Sequence, residues 1–255
     1  MMDAIASRPS AAPWRAYALE ARYEFLRLLR TPSFALPTLL FPNVFYLLFG
    51  VLLGGGRGGG DAARYLLATY GVFGIMGVSL FGFGVTVAMD RDQGLLTLKR
   101  ALPMPPGAYL LAKTAMAMLF ATAISLMLAL LASTLAGVHL SPAQWGLLWL
   151  VNVAGVLPFC ALGLWIGTLC TGSASPAVIN LIYLPMAFLS GLWLPLAMLP
   201  DIFARLAPVW PSHHLAQIAL EVVGHDAGGA LGMHVAVLLA FSAVFFFLAH
   251  RRLAA

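Results

Sequence analysis

The chain has 255 residues, of which 62% are hydrophobic and only 9% are charged, against about 25% charged in a soluble globular domain. Fourteen Lys and Arg with nine Asp and Glu cannot cover a water-facing surface of this size. A water-soluble fold is therefore excluded, and with a mean hydropathy of +0.93 most of the chain must face lipid or other apolar helices. At about 20 apolar residues per crossing, six crossings use about 120 residues, which leaves loops but no room for an ATPase, a kinase or another globular domain.

The first element expected is an amphipathic helix over 13–30. It places Trp14, Tyr17, Ala18, Ala21, Phe25, Leu28 and Leu29 on one face, with Arg15, Glu20, Arg22, Glu24, Arg27 and Arg30 pointing elsewhere. Too charged to cross, it fits the cytoplasmic headgroup layer, its aromatics at the interface and its guanidinium groups toward lipid phosphate. Thr31-Pro32 ends it, because the residue before a proline avoids helical geometry. Residues 1–33 thus read as a cytoplasmic tail and interfacial helix. No signal peptide is expected, since the first apolar run starts only at Phe34 and is too long for a signal core. Asp3, Glu20 and Glu24 argue against a transit peptide.

Six stretches without Asp, Glu, Lys or Arg are long enough to span: 34–54, 66–89, 114–137, 145–169, 174–198 and 230–249. With the amino terminus in the cytoplasm, the inner segments carry Arg8, Arg15, Arg22, Arg27, Arg30, Arg91, Lys99, Arg100, Lys113, Arg251 and Arg252, and the outer ones only Arg57, Arg64 and Arg205. By the positive-inside rule both termini are expected in the cytoplasm of a bacterial-type inner membrane. The net charge of +5 is then topology, and nucleic-acid binding is not needed to explain it. Gly71, Gly74, Gly77, Gly82, Gly84, Gly163 and Gly167 read as faces where helices approach closely. Asn43, Asn152 and Asn180 read as polar groups facing the protein interior. Cys160 and Cys170, about 15 Å apart along a helix, lie beyond disulfide reach.

Between the second and third windows runs Met89-Asp90-Arg91-Asp92-Gln93-Gly94-Leu95-Leu96-Thr97-Leu98-Lys99-Arg100-Ala101-Leu102-Pro103. It is the only inner loop dense in both charge signs, and Leu95, Leu98 and Leu102 recur at helical spacing between Gly94 and Pro103. A short amphipathic helix on the membrane surface is expected, its leucines against the spans or in a partner's cleft. After the fifth window, 199–222 is broken by Pro200, Pro208 and Pro211 and carries Asp201, Arg205 and Glu221, so short helices dipping in from the outer side are expected.

In these features the chain resembles the permease subunits of the ABC type-2 transporter family. The resemblance covers nearly the whole chain: the amino-terminal helix, six spans, the charged stretch ending in Gly94 with its apolar run before Pro103, and Phe188-Leu189-Ser190-Gly191-Leu192-Trp193-Leu194-Pro195 followed by Leu199-Pro200 and Ala207-Pro208. It implies an all-α membrane fold of six transmembrane helices, with outer re-entrant helices after the fifth span. It also implies a subunit that pairs with a second permease subunit, as homodimer or heterodimer, on two copies of a separate ABC ATP-binding subunit. That subunit would hold ATP and Mg, and this chain no cofactor. Residues 90–102 would match a coupling helix, carried by Asp90, Arg91, Asp92, Gly94, Leu95, Leu98, Lys99 and Arg100. The amino-terminal helix, with Trp14, Arg15, Arg22, Phe25, Arg27 and Arg30, would match the connecting helix. Ser190, Gly191, Pro195, Pro200 and Pro208 would form an outer gate, and Thr171-Gly172-Ser173 a second, smaller ATPase contact. The function implied is ATP-driven export of a hydrophobic or amphipathic molecule such as a drug or lipid.

Other chemistry reads as absent or weak. No charge lies in any window, which counts against ion coupling. Gly54 to Gly60 lacks the ending of a phosphate-binding loop. His213, His214, His225 and Asp226 read as interfacial polarity more than as a metal site. A lipid-modifying enzyme using His213, His214, Glu221 and Asp226, a passive channel, and a polysaccharide exporter of the same family are the alternatives.

Overall fold

A computed structural model describes residues 13–53, 60–101, 107–225 and 229–254. Gly54 to Gly59, Leu102, Pro103 and Asp226, and the side chains of Lys99 and Arg100, lie outside what is described. The described residues are helical, with no strand among them. In chain order the helices are α1 (Pro13–Leu29), α2 (Pro32–Phe45), α3 (Gly60–Ser79), α4 (Thr86–Asp92), α5 (Leu95–Ala101), α6 (Ala108–Thr134), α7 (Pro142–Ala154), α8 (Val156–Leu169), α9 (Ser175–Leu189), α10 (Asp201–Leu206), α11 (Pro211–Val222) and α12 (Leu231–Ala254). Wider π-helical turns extend α2 through Tyr46–Leu52 and join α3 to α4 through Leu80–Val85.

α3 is the central post. Its buried residues run unbroken from Leu66 to Met76, so it has no single apolar stripe and is covered all round by α2, α6, α7, α8, α9 and α11. Glycine lets its neighbours come close. A Cβ on Gly74 would lie 2.9 Å from both Ile124 and Pro42, and one on Gly167 would lie 2.7 Å from the Gly84 carbonyl. The expected glycine faces are therefore real contacts, between α3 and α2 or α6 in the first case and across the π-helical turn to α8 in the second.

Local sequence accounts for the breaks. Pro32 sits at the start of α2, where its missing N–H costs nothing. Ser141 and Gln144 cap α7 reciprocally. α7 and α8 are separated at Gly155, three residues ahead of Pro158. A Cβ on Gly155 would lie 2.5 Å from Leu215, so the break also admits α11.

Five helical rods are long and apolar enough to cross a membrane: Pro32–Leu52, Gly60–Asp92, Ala108–Thr134, Pro142–Leu169 and Leu231–Leu253. The longest helix in the fifth window is the 15 residues of α9, about 22 Å of helix against a hydrocarbon core of about 30 Å. It ends at Ser190 because Gly191 turns left-handed, at φ 75°. Of the three asparagines, Asn43 and Asn152 are buried but Asn180 is exposed on α9, so the interior placement expected for it does not hold.

Candidate functional site

At the end of the bundle where α4 stops, three helices meet on a cluster of charges. Asp90 and Lys113 are wholly buried and Glu24 is 5% exposed. The Lys113 ammonium donates to Glu24 Oε1 of α1 and, at 2.6 Å, to Thr86 Oγ1 of α4, and lies 3.3 Å from Asp90 Oδ2. Arg27 of α1 donates from Nη2 to Asp90 Oδ1 at 3.0 Å, with Nη1 3.7 Å from Glu24. The Tyr109 hydroxyl donates to Asp90 Oδ2 at 2.8 Å, and its ring lies 4.9 Å from the Lys113 ammonium. Two carboxylates and two cations balance, and every carboxylate oxygen named has a donor or cation, which is what burial of charge demands.

This cluster overturns part of the sequence expectation. Glu24 and Arg27 do not point away from the protein with the other arginines: Glu24 lies in the packed face of α1 and Arg27 reaches Asp90. Nor do Asp90 and Lys113 sit at a solvated boundary.

The residues after Asp90 are also used within the chain. Arg91 donates to the carbonyls of Gly167 and Thr168, and to Cys170 O at 3.2 Å. It thereby caps the C-terminus of α8, where unpaired carbonyls and the negative end of the dipole collect. The Asp92 carboxylate accepts the Gly172 N–H at 2.6 Å, tying the loop before α9 to the end of α4. A Cβ on Gly172 would meet Met89 at 3.0 Å, so the loop crosses α4 closely. Asp90, Arg91 and Asp92 thus face three different parts of the same chain.

A turn with Gly94 left-handed, at φ 71°, then starts α5. The short helix expected between Gly94 and Pro103 is present over Leu95–Ala101. Leu95 and Leu96 are half-buried, while Gln93, Thr97 and Leu98 are exposed, Leu98 by 58%. On α1, Trp14, Arg15, Arg22 and Arg27 are exposed, as is Arg30 just after it, and Phe25 is half-buried 5.2 Å from the ring of Phe120. α5 is in contact with α4, and α1 with α6, so the exposed residues of both helices flank the buried corner.

The sequence profile of the ABC-2 type transporter family matches residues 16–223. The chain belongs to that family. Among relatives of this ABC-2 chain, the "Putative transport permease YvfS" of Bacillus subtilis (strain 168) is 28% identical over 227 residues, covering 88% of the chain and 91% of the relative. "Nodulation protein J" of Sinorhizobium fredii (strain NBRC 101917 / NGR234) is 36% identical over 64 residues, a quarter of the chain and 24% of the relative. As an ABC-2 transport permease the protein is a multi-pass membrane subunit and not an enzyme, of a family that usually works with an ATP-binding subunit.

At the opposite end of the ABC-2 bundle, Ser190 and Ser212 share a 2.6 Å hydrogen bond. A Cβ on Gly191 would lie 2.8 Å from Leu196. Pro195 and Pro200 open the helices Leu196–Met198 and Asp201–Leu206, and Pro208 lies in Ala207–Val209. His214 bridges the Pro208 carbonyl at 2.9 Å and, through Nδ1, His234 Nδ1 of α12 at 2.8 Å. Burial together with the neighbouring His214 and His234 lowers the pKa of His213 to about 4. His225 instead reaches the Asp61 carbonyl at 3.1 Å. Among the described residues no three His, Cys, Asp or Glu side chains come together as metal ligands would.

Proposed function

We propose that this chain is the membrane-spanning subunit of an ATP-driven exporter that moves a hydrophobic or amphipathic molecule from the cytoplasm or inner leaflet outward. The observation that carries this reading is the Glu24–Arg27–Asp90–Lys113 cluster, which pins α1 to the ends of α4 and α6, with the exposed Leu98 eight residues beyond Asp90 on α5. In this scheme a push on α5 passes through α4 to a corner whose four charges lose their compensation if α1, α4 and α6 separate, so the three helices move together. ATP and Mg belong to two copies of a separate ATP-binding subunit in this scheme. Their docking moves α5, and the motion passes into the rod Gly60–Asp92.

In this proposal the chain makes six crossings of an inner membrane, α9 and its flanking turns being the fifth, and both termini are cytoplasmic. Two contacts made by the α9 region bracket the same rod: Asp92 to Gly172 at its end, and the Tyr65 hydroxyl to the Gly191 carbonyl at 2.8 Å near its start. Residues 172–191 therefore run most of the length of the rod, with α10 and α11 completing the outer side as re-entrant helices and Ser190, Gly191, Pro195, Pro200 and Pro208 at the gate. The exposed face of α9, with Asn180, Leu181 and Leu184, is the surface offered to a second permease subunit and the path between them.

The test is reconstitution of the chain with its ATP-binding subunit in vesicles. ATP-dependent movement of a fluorescent amphipath that needs both subunits supports the proposal. Movement by this chain alone, or turnover of a lipid by it, overturns it.

A further inference from the structure

A second polar feature lies far from the charged corner, in the wall that faces the bilayer. Leu67 of α3, Ser125, Leu126, Leu128 and Ala129 of α6, and Trp145, Leu148, Trp149 and Asn152 of α7 enclose a cavity of about 110 Å3. Leu126 and Trp149 of this lining, like Leu130, Leu147 and Leu150 on the same two helices, are large apolar side chains exposed on the outside of the bundle. A lipid tail alone would suit such flanks, but the floor is different. Asn152 is 2% exposed, its Nδ2 donates to Ser125 Oγ at 3.0 Å, and its Oδ1 is buried without a hydrogen-bond partner. Gly71 backs the amide so closely that a Cβ there would meet Nδ2 at 2.9 Å, so the side chain cannot retreat into α3.

The depth of this amide narrows what could answer it. Ser125 lies nine residues before the end of α6 and Asn152 eleven after the Ser141 cap of α7, so both sit about 14 to 16 Å below the same helix ends. In a hydrocarbon core of about 30 Å that is the middle of the bilayer, where water and headgroups do not reach and an unpaired polar group is costly. Turning the amide over would pair Oδ1 with Ser125 and leave the NH2 unpaired instead, so the missing partner must suit either orientation. A hydroxyl, which both donates and accepts, does so.

We infer that this cavity is a lateral binding site for an uncharged, bilayer-dissolved amphipath that carries a hydroxyl at mid-chain depth, held by Asn152 with its apolar body between Trp145, Trp149 and Leu126. The site depends on the chain being a membrane permease and not on the direction of transport or on an ATPase.

The test uses the chain alone in nanodiscs with two uncharged photoreactive probes, the diazirine-bearing methyl ester of a mid-chain hydroxystearic acid and the matching methyl stearate. The hydroxylated probe should label the Ser125–Ala129 and Trp145–Asn152 segments roughly five- to tenfold more than its partner, the factor expected for one buried hydrogen bond. Asn152→Leu should bring the two probes level, and Ala129→Leu, which fills the cavity and leaves Asn152 intact, should reduce labelling by both. Equal labelling in the unaltered chain means an ordinary lipid groove and overturns the proposal. So does absence of labelling with cysteine cross-linking between two copies through Leu126→Cys, which makes the groove a subunit interface. Neither result bears on ATP-driven export.

Discussion

The Lys113 ammonium lies 3.3 Å from the Asp90 carboxylate, and neither side chain is exposed. One belongs to the start of α6 and the other to the end of α4, and both are bonded to α1, Lys113 through Glu24 and Asp90 through Arg27. Replacing Lys113 by Met leaves two buried carboxylates facing one partly exposed arginine. The expected cost is about 3 to 5 kcal/mol, read as a lower midpoint in thermal unfolding of the detergent-solubilised protein. Removing Asp90 as well, in Lys113→Met with Asp90→Asn, should recover part of the loss, so the double-mutant cycle gives a coupling well away from zero.

Arg91 serves the α8 terminus through a fork of donors that lysine cannot reproduce. Arg91→Lys should cost about 1 to 3 kcal/mol. Hydrogen exchange should localise the effect, with faster exchange in residues 168–175 and unchanged rates in α12.

Close helix approach gives a paired test. A Cβ on Gly167 would lie 2.7 Å from the Gly84 carbonyl, which is backbone and cannot swing aside, whereas one on Gly146 meets nothing within 4 Å. Gly167→Ala should destabilise by about 1 to 3 kcal/mol. Gly146→Ala should be neutral or stabilising by up to about 1 kcal/mol. Melting of the two variants side by side checks both signs.

His213 carries the pH prediction. Its folded-state pKa is lowered to about 4 by burial and by the adjacent His214 and His234, while its ordinary value is 6.5. The unfolded chain therefore binds the proton first as pH falls. The contribution of His213 is fully present above about pH 6.5, and is lost progressively down to about pH 4. Unfolding midpoints measured across that window should fall with pH, and His213→Gln should flatten the fall.

Much of this architecture is legible in the residues. The charge-free windows locate the five long rods, the leucines after Gly94 locate α5, and the glycines mark the contacts of α3 and α8. The charged corner was hidden by the way windows end: a stretch closed at the first charge places every charge outside the helix by construction, so Lys113 became a boundary. A signal was nonetheless present. Glu24 falls seven residues after Tyr17 and four before Leu28, within the apolar stripe of α1. Lys113 precedes Met116, Ala117 and Phe120 by three, four and seven, and Asp90 follows Phe83, Thr86 and Val87 by seven, four and three. Each charge continues a buried stripe, and three such stripes with balancing signs call for a common meeting point. Their pairing across the chain, and the His214–His234 bridge, depend on tertiary contacts that no local pattern encodes.

The corner also changes which residues can report on the proposed ATP-binding subunit. Charge reversal at Asp90 or Arg91 would damage this chain's own packing, whereas Leu98, exposed on α5, has no such role. The most direct measurement is photo-crosslinking from a benzophenone amino acid at Leu98 in the chain co-expressed with its ATP-binding subunit, with Leu98→Asp as the functional partner. The account predicts a cross-link to that subunit, and for Leu98→Asp a well-folded protein that no longer stimulates ATP hydrolysis. Absence of a cross-link together with unchanged stimulation in Leu98→Asp would contradict it.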